Sequence, residues 1–332
     1  MTSKTYLVTG GTGFIGAALV RRLLQEGNVV RVLDNGFRGA TRRVDDIVDR
    51  LEMIAGDIRD PAAVRKAAHG VDVIAHLAFV NGTEFFYSQP ELVLDVGVRG
   101  MINVLDACQA EGIEELVLAS SSEVYQTPPV IPTNETVPLS IPDPFNPRYS
   151  YGAGKIISEI MALNYGRGRF KRVLIFRPHN VYGPDMGWEH VLPQFVLRMK
   201  KLAAEGSGPI RFPIQGNGRE TRSFVFIDDF IDGVMVMLDK GEDRNIYHIG
   251  TEEEVSIAEV ANLVGDFYRR IVEIVPSDAA KGGTSRRCPD IGKLHSLGYA
   301  PRIPLKDGLP VLARWYDRNA HMVPGSKQGK TS

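Results

Sequence analysis

The 332-residue chain is predicted to fold as an α/β protein, with a doubly wound parallel sheet and a smaller C-terminal lobe. Three observations predict this fold class. Short apolar runs alternate with helical patterns in the first half, a glycine-rich turn links the first run to the first helix, and the alternation breaks down after Pro178. Such alternation is typical of a parallel sheet that carries helices on both faces.

Each predicted strand of the first half is a short, continuous apolar run, as expected for strands that are covered on both faces. The runs are Thr5–Thr9, Val29–Asp34, Leu51–Gly56, Val71–Ala78, Leu116–Ser120 and Val173–Arg177. The intervening segments have apolar residues at helical spacing: Phe14–Glu26, Pro61–His69, Glu91–Glu111 and Ser150–Tyr165. In such a fold, ligands bind beyond the carboxyl ends of the strands.

After Pro178, segments rich in Gly and Pro separate shorter elements. The predicted helices are Val191–Ala204, Asp228–Leu238, Ser256–Arg270 and Lys306–Arg318, and Ile246–Gly250 is predicted to be a further strand of the sheet. We therefore expect a main domain over residues 1–178 with a returning segment at about 224–250. Residues 179–223 and 251–318 would form a substrate-binding lobe, and 319–332 a disordered tail.

Composition excludes several classes of protein. With 39 basic and 40 acidic side chains the net charge is near zero, so no nucleic-acid or anionic-membrane partner is expected. The two cysteines, Cys108 and Cys288, have neither metal-ligand spacing nor a disulfide framework, which indicates no metal site and a cytoplasmic location. We find no signal peptide and no apolar run of about eighteen residues.

The glycine-rich turn predicts a dinucleotide site. Gly10, Gly13 and Gly16 follow the first strand and open the first helix. Gly10 permits the tight turn, Gly13 lets a pyrophosphate approach the backbone N–H groups, and Gly16 allows close packing of helix on strand. Together with the alternating elements, this turn indicates a Rossmann-type domain.

An acidic residue at the end of the second strand favours NAD as the cofactor. Asp34 can accept hydrogen bonds from both adenosine ribose hydroxyls and would repel a 2′-phosphate. Arg38 and Arg42 lie nearby in the sequence and keep NADP as an alternative. Asp57 and Ile58 follow the third strand, where an adenine contact is expected, or else a turn that caps the next helix.

Tyr151 and Lys155 are one helical turn apart, so both project from one face of the predicted helix. A phenol with a pKa near 10 is protonated at neutral pH and so cannot act as a base, but a neighbouring cation, together with an oxidised nicotinamide, stabilises the phenolate and lowers that pKa. Tyr151 can then accept a hydroxyl proton while hydride leaves the adjacent carbon. The two signals together predict oxidation of an alcohol.

A serine-rich stretch with one carboxylate follows the fifth strand. If the strand persists, Ser121 and Glu123 share one side of it, because side chains alternate. Ser121 can hydrogen-bond the reacting oxygen and relay its proton to Tyr151. A run of serines is also common in ordinary loops at strand ends. A carboxylate within such a run, at the edge of the sheet where ligands bind, is less common.

From about Thr5 to Trp315 the chain resembles the extended short-chain dehydrogenase/reductase family, specifically its nucleotide-sugar epimerases, dehydratases and decarboxylases. The motifs that carry the resemblance are Thr9–Gly16, Asp34, Gly56-Asp57-Ile58, His76-Leu77-Ala78, Ser120–Tyr125, Tyr151 with Lys155, Phe176–Pro184, Arg222–Asp229 and Arg286–Asp290. The set is highly specific to the family and much less specific to any one member.

The resemblance implies roles for individual residues. Ser121, Tyr151 and Lys155 would be the catalytic triad, and Glu123 a further catalytic residue. Asn180, Arg222 and Arg287 would hold the diphosphate of a nucleotide-diphosphate sugar, with Ser122 also on the substrate side. The expected contacts of NAD are Gly10, Gly13, Phe14, Ile15, Gly16, Asp34, Asn35, Asp57, Ile58, Leu77, Ala78, Tyr151, Lys155 and Pro178.

One position departs from the family pattern. Members usually carry an asparagine in the helix after the fourth strand, and Gly97 stands at the matching place here. Gly97 has no side chain to make that contact, so a water molecule or another residue must replace it.

In this family the first step oxidises the sugar C4 hydroxyl to a ketone, from which several products can form. The position of Glu123 resembles that of the C5-proton base in 4,6-dehydratases and of a glutamate in uronic-acid decarboxylases. We expect 4-epimerisation of a nucleotide-diphosphate hexose first, with 4,6-dehydration and decarboxylation as alternatives, and a non-catalytic NAD-binding scaffold as another class. Family members often dimerise through two long helices, which here predicts a homodimer through Glu91–Glu111 and Ser150–Tyr165.

Overall fold

The computed structural model describes residues 3–165, 167–278 and 284–324. Its strands are β1 (Thr5–Thr9), β2 (Val29–Asp34), β3 (Glu52–Ala55), β4 (Val73–His76), β5 (Glu115–Ala119), β6 (Arg172–Pro178), β7 (Val181–Tyr182), β8 (Ile210–Gln215), β9 (Thr221–Ser223), β10 (Val225–Phe226), β11 (Asn245–Ile249), β12 (Glu254–Ser256), β13 (Val272–Ser277) and β14 (Arg286–Arg287). Its α-helices are α1 (Phe14–Gln25), α2 (Pro61–Ala68), α3 (Thr83–Ser88), α4 (Pro90–Leu94), α5 (Gly100–Glu111), α6 (Ser150–Tyr165), α7 (Val191–Ala204), α8 (Ile227–Lys240), α9 (Ile257–Phe267), α10 (Gly292–His295) and α11 (Leu305–Arg318).

A parallel sheet of seven strands lies at the centre of the molecule, in the order β11-β6-β5-β4-β1-β2-β3. The chain leaves β1 for β2 on one side and later returns to place β4 on the other side. The strand order therefore reverses between β1 and β4, which opens a crevice at their carboxyl ends. The predicted fold class is confirmed.

Helices cover both faces of this sheet because neighbouring residues of each strand point to opposite sides. On β1, Val8 packs into a core that includes α1 and α8, whereas Leu7 packs into a second core that includes α2, α5 and α6. Both residues have no exposed surface. Asp60 accepts a hydrogen bond from Ala62 N and so caps the start of α2.

The C-terminal lobe contains short strands that the sequence did not predict. β8 and β13 form a parallel pair, and β9 lies between β12 and β14 in a three-stranded sheet. β9, β12 and β14 have two or three residues and are too short to show an alternating pattern in the sequence, whereas the six-residue β8 and β13 lie in segments for which no element was predicted. The pairing of β14 with β9 brings Arg287 beside Arg222.

Two predicted segments differ in the structure. The segment 91–111 is not a continuous α-helix, because a π-helical turn, Asp95–Arg99, separates α4 from α5. Within the predicted tail, Ala320–Met322 forms a 3-10 turn, and residues 325–332 lie outside the described residues. None of the helices in the described ranges is long and apolar enough to cross a membrane.

Candidate active site

A cavity of about 460 Å³ opens at the carboxyl ends of β1, β4, β5 and β6. It brings together most of the residues that the sequence predicted for a site. Those that line it are Gly10, Gly13, Phe14, Ile15, Gly16, Leu77, Ser121, Ser122, Glu123, Tyr151, Lys155, Pro178, Asn180 and Arg287. Gly10, Gly13 and Gly16 form what we call the glycine end, and Glu123 and Arg287 form the charged end.

The glycine end is a cradle made of backbone. Gly10 has a φ of +74°, and a Cβ atom there would lie 2.8 Å from the backbone nitrogen of Ala78. A Cβ on Gly16 would overlap the carbonyl oxygen of Gly10. Gly13 precedes α1 and no side chain caps that helix, so its first N–H groups remain available for an anion. This geometry fits the pyrophosphate of a dinucleotide.

Five predicted cofactor residues lie outside the residues that line the cavity: Asp34, Asn35, Asp57, Ile58 and Ala78. The Asp34 carboxylate accepts hydrogen bonds from the backbone nitrogens of Thr12 (3.0 Å) and Gly36 (2.8 Å). A carboxylate has further lone pairs, so these bonds leave room for ribose hydroxyls.

Asp57 and Ile58 are held by neighbouring groups of the protein. Asn35 donates to Asp57 at 3.0 Å, and Arg59 pairs with Asp57 at 2.8 Å. Hydrogen bonds from Arg59 lower the pKa of Asp57 to about 2. Ile58 is buried and accepts a hydrogen bond at its carbonyl from Asn103.

The two arginines that kept NADP as an alternative cofactor are paired with acids. Arg38 forms an ion pair with Glu189, and Arg42 with Asp185. Both acids belong to the segment between β7 and α7, which faces the turn after β2. Both guanidinium groups therefore pair with acids of the segment that faces them.

Tyr151 and Lys155 lie one turn apart on α6 and are both buried. Lys155 donates to the carbonyl of Ala119 at 2.7 Å, and burial lowers its pKa to about 7 against the opposite effect of Glu159. Burial also raises the pKa of Tyr151, while a hydrogen bond with Ser121 acts to lower it. The direction for Tyr151 is opposite to the one predicted, because the prediction took no account of burial.

The serine-rich stretch does not continue the strand. β5 ends at Ala119 and Ser122–Val124 forms a 3-10 turn, in which Ser121 Oγ accepts a hydrogen bond from Glu123 N at 3.1 Å. The strand does not persist to Ser121 and Glu123, so the condition on which the alternation argument depends is not met. The turn nevertheless places both residues in the cavity.

At the charged end, Arg287 Nη1 donates to Glu123 Oε1 at 2.5 Å. Burial raises the pKa of Glu123, but Arg287, Arg148 and Arg222 together lower it more, so it lies below the usual value. The Nε atom of Arg287 is buried and has no hydrogen-bond partner among the described residues. The pair thus places an ionised carboxylate and a guanidinium at one end of the cavity.

The other two predicted diphosphate residues differ in position. Asn180 lines the cavity with a φ of 40°, and its side chain donates to Ser223 O at 2.9 Å. Arg222 does not line the cavity, since its guanidinium donates to the carbonyls of Thr221 and Thr284, both at 2.7 Å.

Sequence reasoning missed Phe79, Phe86 and Arg148. The rings of Phe79 and Phe86 contact Tyr151, with centroid distances of 5.1 Å and 5.0 Å, and both line the cavity. Phe79 follows β4 at the carboxyl edge, a position that could have marked it. Arg148 precedes α6 and is close enough to Glu123 to lower its pKa.

Residues 6–250 match the model of the NAD dependent epimerase/dehydratase family. The chain belongs to this family. It is similar to UDP-glucuronic acid decarboxylase 6 of Arabidopsis thaliana, with 32% identity over 92% of this chain and 87% of that protein.

Solved structures of the NAD dependent epimerase/dehydratase family agree. DesIV, a dTDP-glucose 4,6-dehydratase from Streptomyces venezuelae with NAD and TYD bound, has a TM-score of 0.83 and 30% identity, covering 96% of this chain and 98% of DesIV. Epimerase Mth375 of Methanothermobacter thermautotrophicus has a TM-score of 0.85 and 26% identity, covering 98% and 95%. The predicted family and the predicted cofactor, NAD, are confirmed, and the protein is an NAD-dependent sugar-modifying enzyme.

Proposed function

We propose that the protein oxidises a nucleotide-diphosphate sugar at C4, and that a uronic acid is its substrate and carbon dioxide a product. The observation that carries the proposal is the ion pair of Glu123 and Arg287 within the cavity. Similarity to UDP-glucuronic acid decarboxylases adds support. From the sequence we expected 4-epimerisation first; we now place decarboxylation first because of this pair.

In the proposed first step Tyr151 accepts the proton of the C4 hydroxyl, with Ser121 hydrogen-bonded to the same oxygen. Bound NAD would supply the acceptor for the C4 hydride and return it at the end. Lys155, fixed by Ala119 O, would stabilise the phenolate of Tyr151 in its protonated form. The backbone cradle at the glycine end would hold the pyrophosphate of the cofactor.

The second step uses the charged end. In a 4-keto uronic acid the C5–C6 bond can break, because the electron pair moves into the C4 carbonyl as carbon dioxide leaves. Arg287 lines the cavity and would hold the C6 carboxylate through its guanidinium, in place of the diphosphate role that the sequence predicted. The ionised Glu123 carboxylate would repel that second carboxylate, and this repulsion ends when carbon dioxide departs. A proton then reaches C5 and the ketone is reduced.

Epimerisation needs neither charge, since hydride returns to the other face of C4 without a further base. Dehydration would use Glu123 as the base that removes the C5 proton from a hexose. Both alternatives therefore differ from decarboxylation in the fate of C6.

The test is incubation of NAD-loaded protein with UDP-glucuronic acid labelled with ¹³C at C6. We expect labelled bicarbonate and a UDP-pentose by NMR and mass spectrometry. UDP-glucose and dTDP-glucose serve as parallel substrates, and a 4-epimer or a 4-keto-6-deoxy sugar from them, without bicarbonate from the uronic acid, would replace the proposal. No product and no nicotinamide absorbance from any of the three would favour the scaffold.

We also propose a homodimer and a cytoplasmic location. α4, α5 and α6 lie side by side, and the apolar residues that they expose are Leu94, Ile102, Ile157, Ile160 and Tyr165. A second copy would cover this face. Both thiols, Cys108 and Cys288, are free and buried, in keeping with a reducing compartment. Light scattering after size exclusion tests the dimer.

A further inference from the structure

We propose that Phe79 is a positioning residue, which holds the ammonium of Lys155 on the face of its ring, and that Gly97 makes room for this ring. The inference rests on the oxidation step of the proposed function and not on what happens to the sugar afterwards.

The first observation is the contact itself. Lys155 Nζ lies 4.0 Å from the centroid of the Phe79 ring and 5.8 Å from that of Tyr151. An ammonium has three donors, and among the described residues Lys155 makes one hydrogen bond, to Ala119 O. Lys155 is 3% exposed, so the quadrupole of the ring acts on a desolvated charge.

The second observation is the space that the ring occupies. A Cβ atom on Gly97 would overlap the Phe79 ring, and one on Gly154 would lie 3.0 Å from its Cζ atom. Any side chain at position 97 would therefore displace the ring from its present place beneath the Lys155 ammonium. The π-helical turn Asp95–Arg99 contains Gly97 and lies at this contact. The glycine at position 97, where family members usually carry asparagine, thus leaves the space that the Phe79 ring fills.

The third observation is the set of charges around Lys155. Glu159 follows on α6 and is already committed to Arg177, at 2.6 Å. His76 on β4 is neutral at ordinary pH, because burial lowers its pKa to about 3. Tyr151 is the remaining titratable neighbour on α6. Of the two aromatic rings that the ammonium contacts among the described residues, Phe79 is the closer and lies outside α6.

The test measures the protonation of Lys155 directly, so it needs no turnover and no sugar. The ¹³Cε signal of Lys155 is titrated by NMR in lysine-labelled, NAD-loaded protein and is assigned with Lys155→Met. We expect Phe79→Leu to move the midpoint about one pH unit lower, since a desolvated cation–π contact changes the equilibrium roughly tenfold. Phe79→Tyr should keep the midpoint of the unmodified protein.

Phe86→Leu is the matched control, because Phe86 stacks on Tyr151 while the Lys155 ammonium lies over Phe79. Its midpoint should stay in place. An unmoved midpoint in Phe79→Leu, or an equal shift in both variants, would overturn the proposal.

Gly97→Ala gives a second variant that keeps the ring. We expect it to lower the midpoint as Phe79→Leu does, and the double variant to shift no further than Phe79→Leu alone. Additive shifts would show that Gly97 acts independently of Phe79 and would overturn the pairing. A failed decarboxylation assay leaves all these readouts unchanged, so the two proposals can fail separately.

Discussion

Backbone groups form the glycine end of the cavity, whereas charged side chains form the charged end. The glycine end comes from one turn of chain, in which the absence of side chains lets Gly10 and Gly16 pack closely. Glu123 and Arg287 are 164 positions apart and meet through side-chain atoms. The first arrangement suits a cofactor shared by a whole family, and the second suits the step in which its members differ.

The comparison predicts that substitutions of side chains reduce activity most where the chemistry occurs. Tyr151→Phe should lower kcat by about 10³-fold, since the proton acceptor of the oxidation is lost and general base catalysis contributes factors of about 10² to 10⁴. NAD content should not change, because the cradle at the glycine end is backbone. Turnover rates and the NAD released on denaturation measure both quantities. Substantial residual turnover would contradict the role of Tyr151.

At the charged end, Glu123→Gln should lower kcat by about 10²-fold, because the amide has the same shape without the charge. In D₂O each product molecule should carry one deuterium at C5 in both proteins, because a solvent-derived proton replaces the C5–C6 bond, so the variant should form the same labelled product more slowly. Glu84→Gln is the control, since Glu84 also lines the cavity. A product without C5 deuterium from the unmodified protein, or an unchanged kcat in Glu123→Gln, would argue against C5 chemistry at this end.

Arg287→Gln should move the acid limb of kcat/KM to higher pH. Burial raises the pKa of Glu123 and Arg287 is the largest of the effects that lower it. Without the guanidinium, Glu123 takes up a proton at a higher pH, so activity that needs the carboxylate is lost earlier as the pH falls. A pH profile of kcat/KM measures the shift. An acid limb at the same pH in both proteins would show that protonation of Glu123 does not cause that limb.

The sequence predicted the two ends unequally. The sheet and Gly10, Gly13 and Gly16 follow from local patterns, because strand, turn and helix are consecutive in the chain. The pairing of Glu123 with Arg287 depends on β14 meeting β9, and a two-residue strand has no readable pattern. Phe79 and Gly97 interact through complementary shapes, which single-sequence reasoning does not detect. The burial that raises the pKa of Tyr151 is likewise a property of the whole fold.

Asp34→Ala tests a side chain near the glycine end. We expect NAD to bind about tenfold more weakly, as for the loss of one charged hydrogen-bonding partner, and discrimination against NADP to fall. Dissociation constants for both dinucleotides, measured by calorimetry on protein freed of cofactor, provide the test. An unchanged preference would contradict the role of Asp34 at the ribose.

The smallest effect should come from Arg42→Gln, which breaks the ion pair with Asp185. Asp185 also pairs with Arg43 at 3.3 Å, and this second contact should keep the segment between β7 and α7 in place. Arg42 is 39% exposed, and such pairs contribute about 0–1 kcal/mol. NAD affinity should therefore change by less than about fivefold, with Asp34 still excluding NADP. If NAD affinity fell by as large a factor as kcat falls in Glu123→Gln, side-chain charges would govern both ends of the cavity. The contrast between the two ends would then not hold.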